Sequence, residues 1–330
     1  MKLARNYFLL DIGARGGIQY PFNKLKNLSV ILVEPDPEEA QRLLETRSIF
    51  ENESRVLPFP LWAFKSKLTL NLTKSPGASS IYSPNREFLN QFPESSRFDV
   101  LKEYPINSTT IDNLYDENYF DRIDFVKIDV QGGELNILKG GENFLKNNII
   151  GIEVEVEFSQ LYSNQPLFSD VDKFIREVLG LELWDLTRTY WKFQNKQNYS
   201  PTKGKLVFGD ALYLRPIIGL DVWLAKFDFN LAKSKLLALI DTALIYGYTD
   251  YASAIIENEE LVKYFSSCEI SKLIIDINYL GKGFHFSFRW SNWIYYSLLG
   301  LASIFKPINN KWAISQDVCL GSRKKFGLWF

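Results

Sequence analysis

Two carboxylates frame the N-terminal part of the chain. Asp11 lies near the end of the apolar run in FLLDIGARGG (Phe8–Gly17), just before Gly13, Gly16 and Gly17, and Glu34 closes the next apolar run, VILVE. A strand, a glycine-rich turn and an acid at the tip of the following strand form the general plan of a nucleotide site, in which the acid takes the two ribose hydroxyls. The glycines are not spaced as G-x-G-x-x-G, the arrangement that brings a pyrophosphate against a helix N-terminus. A carboxylate at position 11 would also repel a pyrophosphate. It suits a ligand with adenosine at one end and an ammonium group in place of phosphates, and S-adenosylmethionine is such a ligand. The candidate cofactor contacts are therefore Asp11, Gly13, Ala14, Arg15, Gly16, Gly17, Glu34 and Pro35. In the plainer alternative Asp11 caps a turn that the glycines only tighten; Glu34 at the expected distance favours the ligand.

A second group of ionisable residues lies further along. Alternation in IDFVKIDV (Ile123–Val130) puts Phe125, Lys127 and Asp129 on one face of a strand and Val126, Ile128 and Val130 on the other. Asp129 stands at the strand tip before Gly132 and Gly133, a place for a cofactor contact or a base. The strand IIGIEVEVEF likewise groups Glu153, Glu155 and Glu157. Glutamates in a covered strand are costly unless they are paired or near the solvated end of the sheet. Lys127 is placed to pair with one of them as a structural ion pair. Asp129, Glu153 and Glu155 are the catalytic candidates, and Glu157 reads as a rim residue.

The elements that must position these groups follow from periodicity. Strand candidates at 7–10, 29–33, 55–59, 123–128, 149–158, 181–186 and 211–214 alternate with helical stretches, which predicts a doubly wound α/β sheet. After VILVE, Asp36 can cap a helix, Pro37 takes its first position and Glu39 completes a capping box. From LTLNLT to SPGASSIYSPN (Leu68–Asn85) a short strand and a Ser/Pro/Gly loop interrupt the alternation as an insertion at the sheet's rim. After Pro216 long helical stretches dominate, such as WLAKFDFNLAKSKLLALIDTALIYG with Gly247 as C-cap. The predicted organisation is a ligand-binding domain over 1–216 and a mainly helical subdomain over 217–330 that selects an acceptor or partner, with the cofactor site complete without it.

Composition bounds the partners. The 330 residues are 46% hydrophobic and carry a formal net charge of -1, so the chain is globular and offers no overall attraction to a polyanion such as nucleic acid. Cys268 and Cys319 form no C-x-x-C spacing and read as small buried hydrophobes. The N-terminus shows no leader pattern, which predicts a cytoplasmic chain. The run NWIYYSLLGLASIF (Asn292–Phe305) falls short of the ~20 apolar residues that span a bilayer. It fills a core or lies on a membrane; the core reading is preferred, with peripheral membrane contact as the alternative.

The phrases DIGARGG, VEPDP, GASSIYSPN, STTIDNLYDENYFDRIDFVKIDVQGGELNILKGG, IGIEVEVEFSQLYSNQPLFSDVDKFI and GDALYLR occur in the order and spacing of the FkbM-family methyltransferases. The chain resembles that family over about residues 5–216, most specifically in IDFVKIDVQGGELNILKGG. The resemblance implies a class I methyltransferase fold, S-adenosylmethionine as donor, and methylation of a hydroxyl on a sugar, polysaccharide or secondary metabolite. It also implies that the strands carrying Lys127 and Glu153 lie side by side. The family commonly has Asn at the position of Arg15 and Glu at that of Gln131.

Methyl transfer from a sulfonium to a hydroxyl is an in-line displacement, in which most of the acceleration comes from alignment and a base takes the proton. The single histidine, His285, lies among aromatics and reads as structural, so the base is a carboxylate. Mg²⁺ held by acids is an alternative, but no D-x-D or Asp-Asn pair stands out as a clear ligand set and no metal is assigned. The absence of any Pro-Pro pair removes the loop used on exocyclic base or glutamine nitrogens. RTYWKF and FRWSNWIYY read as packing surfaces, with sugar stacking as the alternative, and Ser79 and Ser80 read equally as ligand contacts or a plain turn. A non-catalytic binding module that docks a partner through the C-terminal helices is the competing function, and a nicotinamide-dependent dehydrogenase a distant third.

Overall fold

The computed structural model describes residues 6–46, 54–194, 202–281, 291–304, 311–316 and 320–321. His285, Cys319 and the start of FRWSNWIYY lie outside them. All seven expected strands form: β1 (Tyr7–Ile12), β2 (Leu28–Val33), β3 (Ser54–Leu57), β6 (Phe125–Ile128), β7 (Gly151–Glu157), β8 (Glu182–Leu186) and β10 (Lys205–Leu214). Of the others, β9 (Arg188–Trp191) and β11 (Ala313–Gln316) join the same sheet, while β4 (Lys67–Thr73), the short strand expected at LTLNLT, pairs antiparallel with β5 (Val100–Asn107) in a separate two-stranded sheet. The main sheet runs β3-β2-β1-β6-β7-β10, parallel as far as β7 and antiparallel at β10. Along its other edge β10 pairs first with β8 and then with β9, and β11 pairs with β9. The chain winds outward from β1 to β3 and then returns to β6, so the strand order reverses between β1 and β6 and a crevice opens at their carboxyl ends. The α/β class and mainly parallel sheet are as expected.

Side chains from the two sides of β1 enter separate cores. Leu10 and Ile12, with Val126, Ile128, Ile152 and Val154, meet α2 (Ile111–Asp116), α3 (Glu134–Gly140), α4 (Glu142–Asn148) and α5 (Phe168–Phe174). Tyr7 and Leu9, with Phe125, Leu212 and Leu214, share a core with Leu43 of α1 (Pro37–Thr46) and with the helices after residue 216. Those helices are α6 (Leu220–Leu224), α7 (Phe229–Tyr246), α8 (Thr249–Glu257) and α9 (Ser267–Gly281); the last described helix, α10 (Ser291–Ile304), contributes nothing to this core. The continuous helix expected over 223–247 is broken, because Asp228 starts α7 afresh by accepting from the amides of Asn230 and Leu231 at 2.9 and 3.0 Å. Gly247 ends α7 with φ +87°, as its cap position requires.

One face of α7 also carries polar ties to the sheet. Lys235 Nζ lies 3.1 Å from Asp124 Oδ1 and donates to Ile123 O at 2.7 Å, while Thr242 Oγ1 and Tyr7 OH are 2.7 Å apart. Tyr246 OH donates to Glu153 in a close contact. Spacings of seven and four residues keep these three groups on one side of the helix.

Three sequence readings are corrected here. The run Asn292–Phe305 does not fill a core: Trp293, Tyr295, Tyr296, Leu298 and Leu301 of α10 are exposed, since the described chain places nothing over them. Cys268 is exposed near the start of α9 rather than buried. Lys127 pairs with aspartates and not with a glutamate, because Glu153 turns to Tyr246. Asp11, Lys127 and Glu153 are register neighbours on β1, β6 and β7. Lys127 Nζ lies 3.8 Å from Asp11 Oδ1 and 3.9 Å from Asp129 Oδ2. Burial alone would pull the ammonium pKa down; Asp11, Asp129 and Glu153 outweigh it and hold the group charged.

A chain ending at residue 216 should therefore expose Leu9, Phe125 and Leu212 and lose cooperative unfolding; a soluble truncation with a sharp denaturant transition would contradict this packing. Lys127→Met leaves buried carboxylates without their cation and should cost about 3–5 kcal/mol in denaturant melts at neutral pH. A loss below about 1 kcal/mol would show that the pair is not what holds the row.

Candidate functional site

A cleft of about 230 Å³ opens at the carboxyl ends of β1, β2 and β6. Its wall includes Gly13 and Arg15 after β1, Glu34 and Pro35 after β2, and Asp129 and Gln131 after β6. Pro76, Gly77, Ser79, Ser80 and Ile81 from the rim insertion close one side, and Trp62 and Ile137 add apolar surface. Of the residues chosen from sequence, Gly13, Arg15, Glu34, Pro35 and Asp129 come together on this wall; Asp11, Ala14, Gly16, Gly17, Glu153 and Glu155 do not reach it. Asp11 lies behind the turn facing Lys127, fully buried and with no hydrogen bond to Oδ1. Burial lifts its pKa to about 6 against the pull of Lys127.

The turn is built by close backbone approach. Gly13 has φ +83°, and a Cβ there would sit 1.8 Å from Asp129 O, so only glycine lets β1 and β6 end side by side. The amide of Gly16 donates to Glu39 Oε1 at 2.7 Å. The expected capping box is thereby overturned: Asp36 does accept from Glu38 N at 3.1 Å, but its own amide donates to Glu34 Oε1 at 2.9 Å. Hydrogen bonds from Arg42 hold Glu39 down at about 2. Arg15 makes a close ion pair with Asp36 and lies 4.0 Å from Glu39, so its charge is balanced within the protein. Glu34 is buried, which raises its pKa to about 7 although the Asp36 amide and Arg15 oppose the shift.

Gln131, noted in the sequence only as a departure from family pattern, is the hub of the opposite wall. Its Nε2 lies 3.2 Å from Asp129 Oδ1 and 2.6 Å from Glu155 Oε2, one donor for each carboxylate. Its Oε1 accepts from Tyr162 OH at 3.0 Å, and its carbonyl accepts from Ser80 Oγ at 2.7 Å. Ser80 and Ser79 thus serve the protein's own framework, the latter accepting from Thr73 N at 3.1 Å. Behind Gln131, carboxylate oxygens of Glu134, Glu155 and Glu157 lie within 4.8 Å of one another, all buried. Burial, reinforced by neighbouring carboxylates, pushes all three upward, Glu134 to about 7. Glu134 Oε1 also accepts from the amides of Val130 and Gly132 at 2.9 and 3.1 Å, which shapes the turn after β6. Glu157, read from sequence as a rim residue, is one of this buried group.

Sequence reasoning missed Trp62, Tyr162 and Tyr246. A Cβ on Gly133 would approach the Trp62 ring to 2.9 Å, so the glycine there makes room for the indole. That indole's arrival from a distant segment leaves no local signal. Burial lifts Glu153 to about 7, and its partner Tyr246 comes from a helix beyond the family resemblance.

The model of the methyltransferase FkbM domain matches residues 11–180, slightly more than half of the chain. A search of curated proteins found no match. Among solved structures, a methyltransferase FkbM from Methylobacillus flagellatus KT is 15% identical with a TM-score of 0.37, covering 62% of this chain and 43% of that one. This chain therefore spans less than half of that protein. A proposed RNA methyltransferase from Pyrococcus horikoshii is 13% identical with a TM-score of 0.30, covering 64% and 76% of the two chains. A proposed tRNA methyltransferase from Streptococcus pneumoniae is 12% identical with a TM-score of 0.31, covering 84% and 94%. The domain match over the glycine turn, Glu34, Asp129 and the glutamate strand places this chain in the FkbM methyltransferase family.

Proposed function

We propose that the protein is a cytoplasmic S-adenosylmethionine-dependent O-methyltransferase acting on a hydroxyl of a sugar, polysaccharide or glycosylated metabolite. The observation that carries the cofactor is the chemistry of the cleft wall. Glu34 and Asp129 offer carboxylates, whereas the Gly16 amide and Arg15 are already satisfied by Glu39 and Asp36. Such a wall suits ribose hydroxyls and a cationic amino-acid end and disfavours a pyrophosphate. S-adenosylmethionine supplies a methyl group activated for displacement by an oxygen nucleophile. In this reading Glu34 accepts from the ribose hydroxyls, and the Gly13 turn lets the ligand approach the backbone. Asp129, whose side chain is 34% exposed, is the one catalytic candidate on the wall, and it takes the acceptor's proton or holds the ligand's ammonium. Glu155 acts through Gln131, orienting the Asp129 carboxylate, and Glu153 positions Lys127 and α7. The sugar hydroxyl as acceptor rests on the family relationship.

Calorimetry with S-adenosylmethionine, S-adenosylhomocysteine and a nicotinamide dinucleotide tests the cofactor. The first two should bind and the third should not, and Glu34→Ala should weaken binding by about 1–3 kcal/mol through loss of charge-assisted hydrogen bonds. Unchanged affinity in a folded variant would remove Glu34 from the site. Because Glu34 holds a proton up to about pH 7 and its carboxylate is the binding form, wild-type affinity should rise between pH 6 and 8. The Glu34→Gln variant should lack this rise. With labelled methyl donor and a panel of glycans, Asp129→Asn should lower transfer by about 10²-fold or more. Tight cofactor binding without transfer to any acceptor would favour the non-catalytic binding module.

A further inference from the structure

The helix α10 is unlike the other long helices among the described residues. Its sequence, SNWIYYSLLGLASI, contains no charged residue, yet its large side chains face solvent: Trp293 is 68%, Tyr296 69% and Leu298 60% exposed. Tyr295, Leu299 and Leu301 are exposed as well. At about 100° per residue these positions fall on all sides of the helix, not on one stripe. A protein groove covers one face of a helix and would leave the others in water. A lipid phase surrounds it. The helix has 14 residues, about 21 Å of length, against the ~30 Å hydrocarbon core of a bilayer. No helix among the described residues is long and apolar enough to cross a membrane. Trp293, Tyr295 and Tyr296 near its first turn are the amphipathic aromatics that favour the boundary between headgroups and acyl chains.

Charge identifies the kind of surface. From residue 282 to 330 the sequence has seven basic residues, Lys282, Arg289, Lys306, Lys311, Arg323, Lys324 and Lys325, and a single acid, Asp317, in a chain whose formal net charge is -1. The stretch that contains the exposed apolar helix is thus strongly basic, while the rest of the sequence carries the acidic excess. An uncharged helix within a basic stretch matches an anionic bilayer, which attracts the cations and accepts the apolar side chains. We infer that α10 docks the protein on an anionic lipid surface, entering the headgroup and outer acyl region without spanning it.

The test is co-sedimentation of the full chain with vesicles of phosphatidylcholine alone and of phosphatidylcholine with phosphatidylglycerol at about seven to three. The wild type should bind the anionic vesicles at least about tenfold more tightly than the neutral ones. The double variant Trp293→Glu, Leu298→Glu should lose at least about tenfold of that binding while keeping its melting temperature, since both side chains already lie in water. Its S-adenosylmethionine affinity should be unchanged, which separates this test from that of the proposed enzyme. Failure to bind anionic vesicles, equal binding to neutral ones, or full binding by the variant overturns the inference. So does lipid-free dimerisation of the wild type that the double variant abolishes, because α10 would then be a contact between copies.

Discussion

The ammonium of Lys127 sits between Asp11 and Asp129, with Glu153 beside it in the next strand. The arrangement ties β1, β6 and β7 together at the level where the sheet ends and the cleft begins. A slip of one residue in any of these strands would turn its acid or base into the opposite, apolar core, so the charges and the hydrophobic pattern enforce one register. The site is nevertheless acid-rich: burial lifts Asp11, Glu153 and Glu134, and neighbouring carboxylates add to each shift. A cation arriving at Asp129 would relieve it.

The same geometry divides labour between the strand tips. Backbone contact between Gly13 and Asp129 brings two tips together, while Glu34 stands at the third, held by the Asp36 amide. Gln131 then transmits the position of the buried glutamate strand to the partly exposed carboxylate of Asp129. Beneath this, α7 clamps the far side of the sheet through Lys235, Thr242 and Tyr246. The carboxyl-end cleft and the C-terminal helices are thus linked through Glu153, although they lie far apart in sequence.

Much of the framework was legible because it is local. The seven main strands, the helix beginning at Pro37 and the acid at position 34 each announce themselves within a few residues. What stayed hidden depends on partners from elsewhere. Glu39 has the spacing of a capping box, yet the Gly16 amide, brought close only by the fold, takes its carboxylate. Strand β5 is mostly exposed and contains Pro105, so neither alternation nor propensity marks it. Asp11 reads as a wall residue because it precedes the glycines, but alternation along β1 turns it toward Lys127. The apolar composition of α10 is the same whether it is covered by protein or by lipid, and only the folded chain shows that protein does not cover it.

The hydrogen bond between Tyr7 and Thr242 joins residues 235 positions apart, and β11 reaches the sheet only at residues 313–316. During synthesis at about 5–20 residues per second, the central strand β1 waits on the order of 10–50 s for the helix that covers one of its faces. Once β7 is complete at Glu157, the nascent chain presents an apolar parallel sheet that stays open on one side until α7 ends at Tyr246.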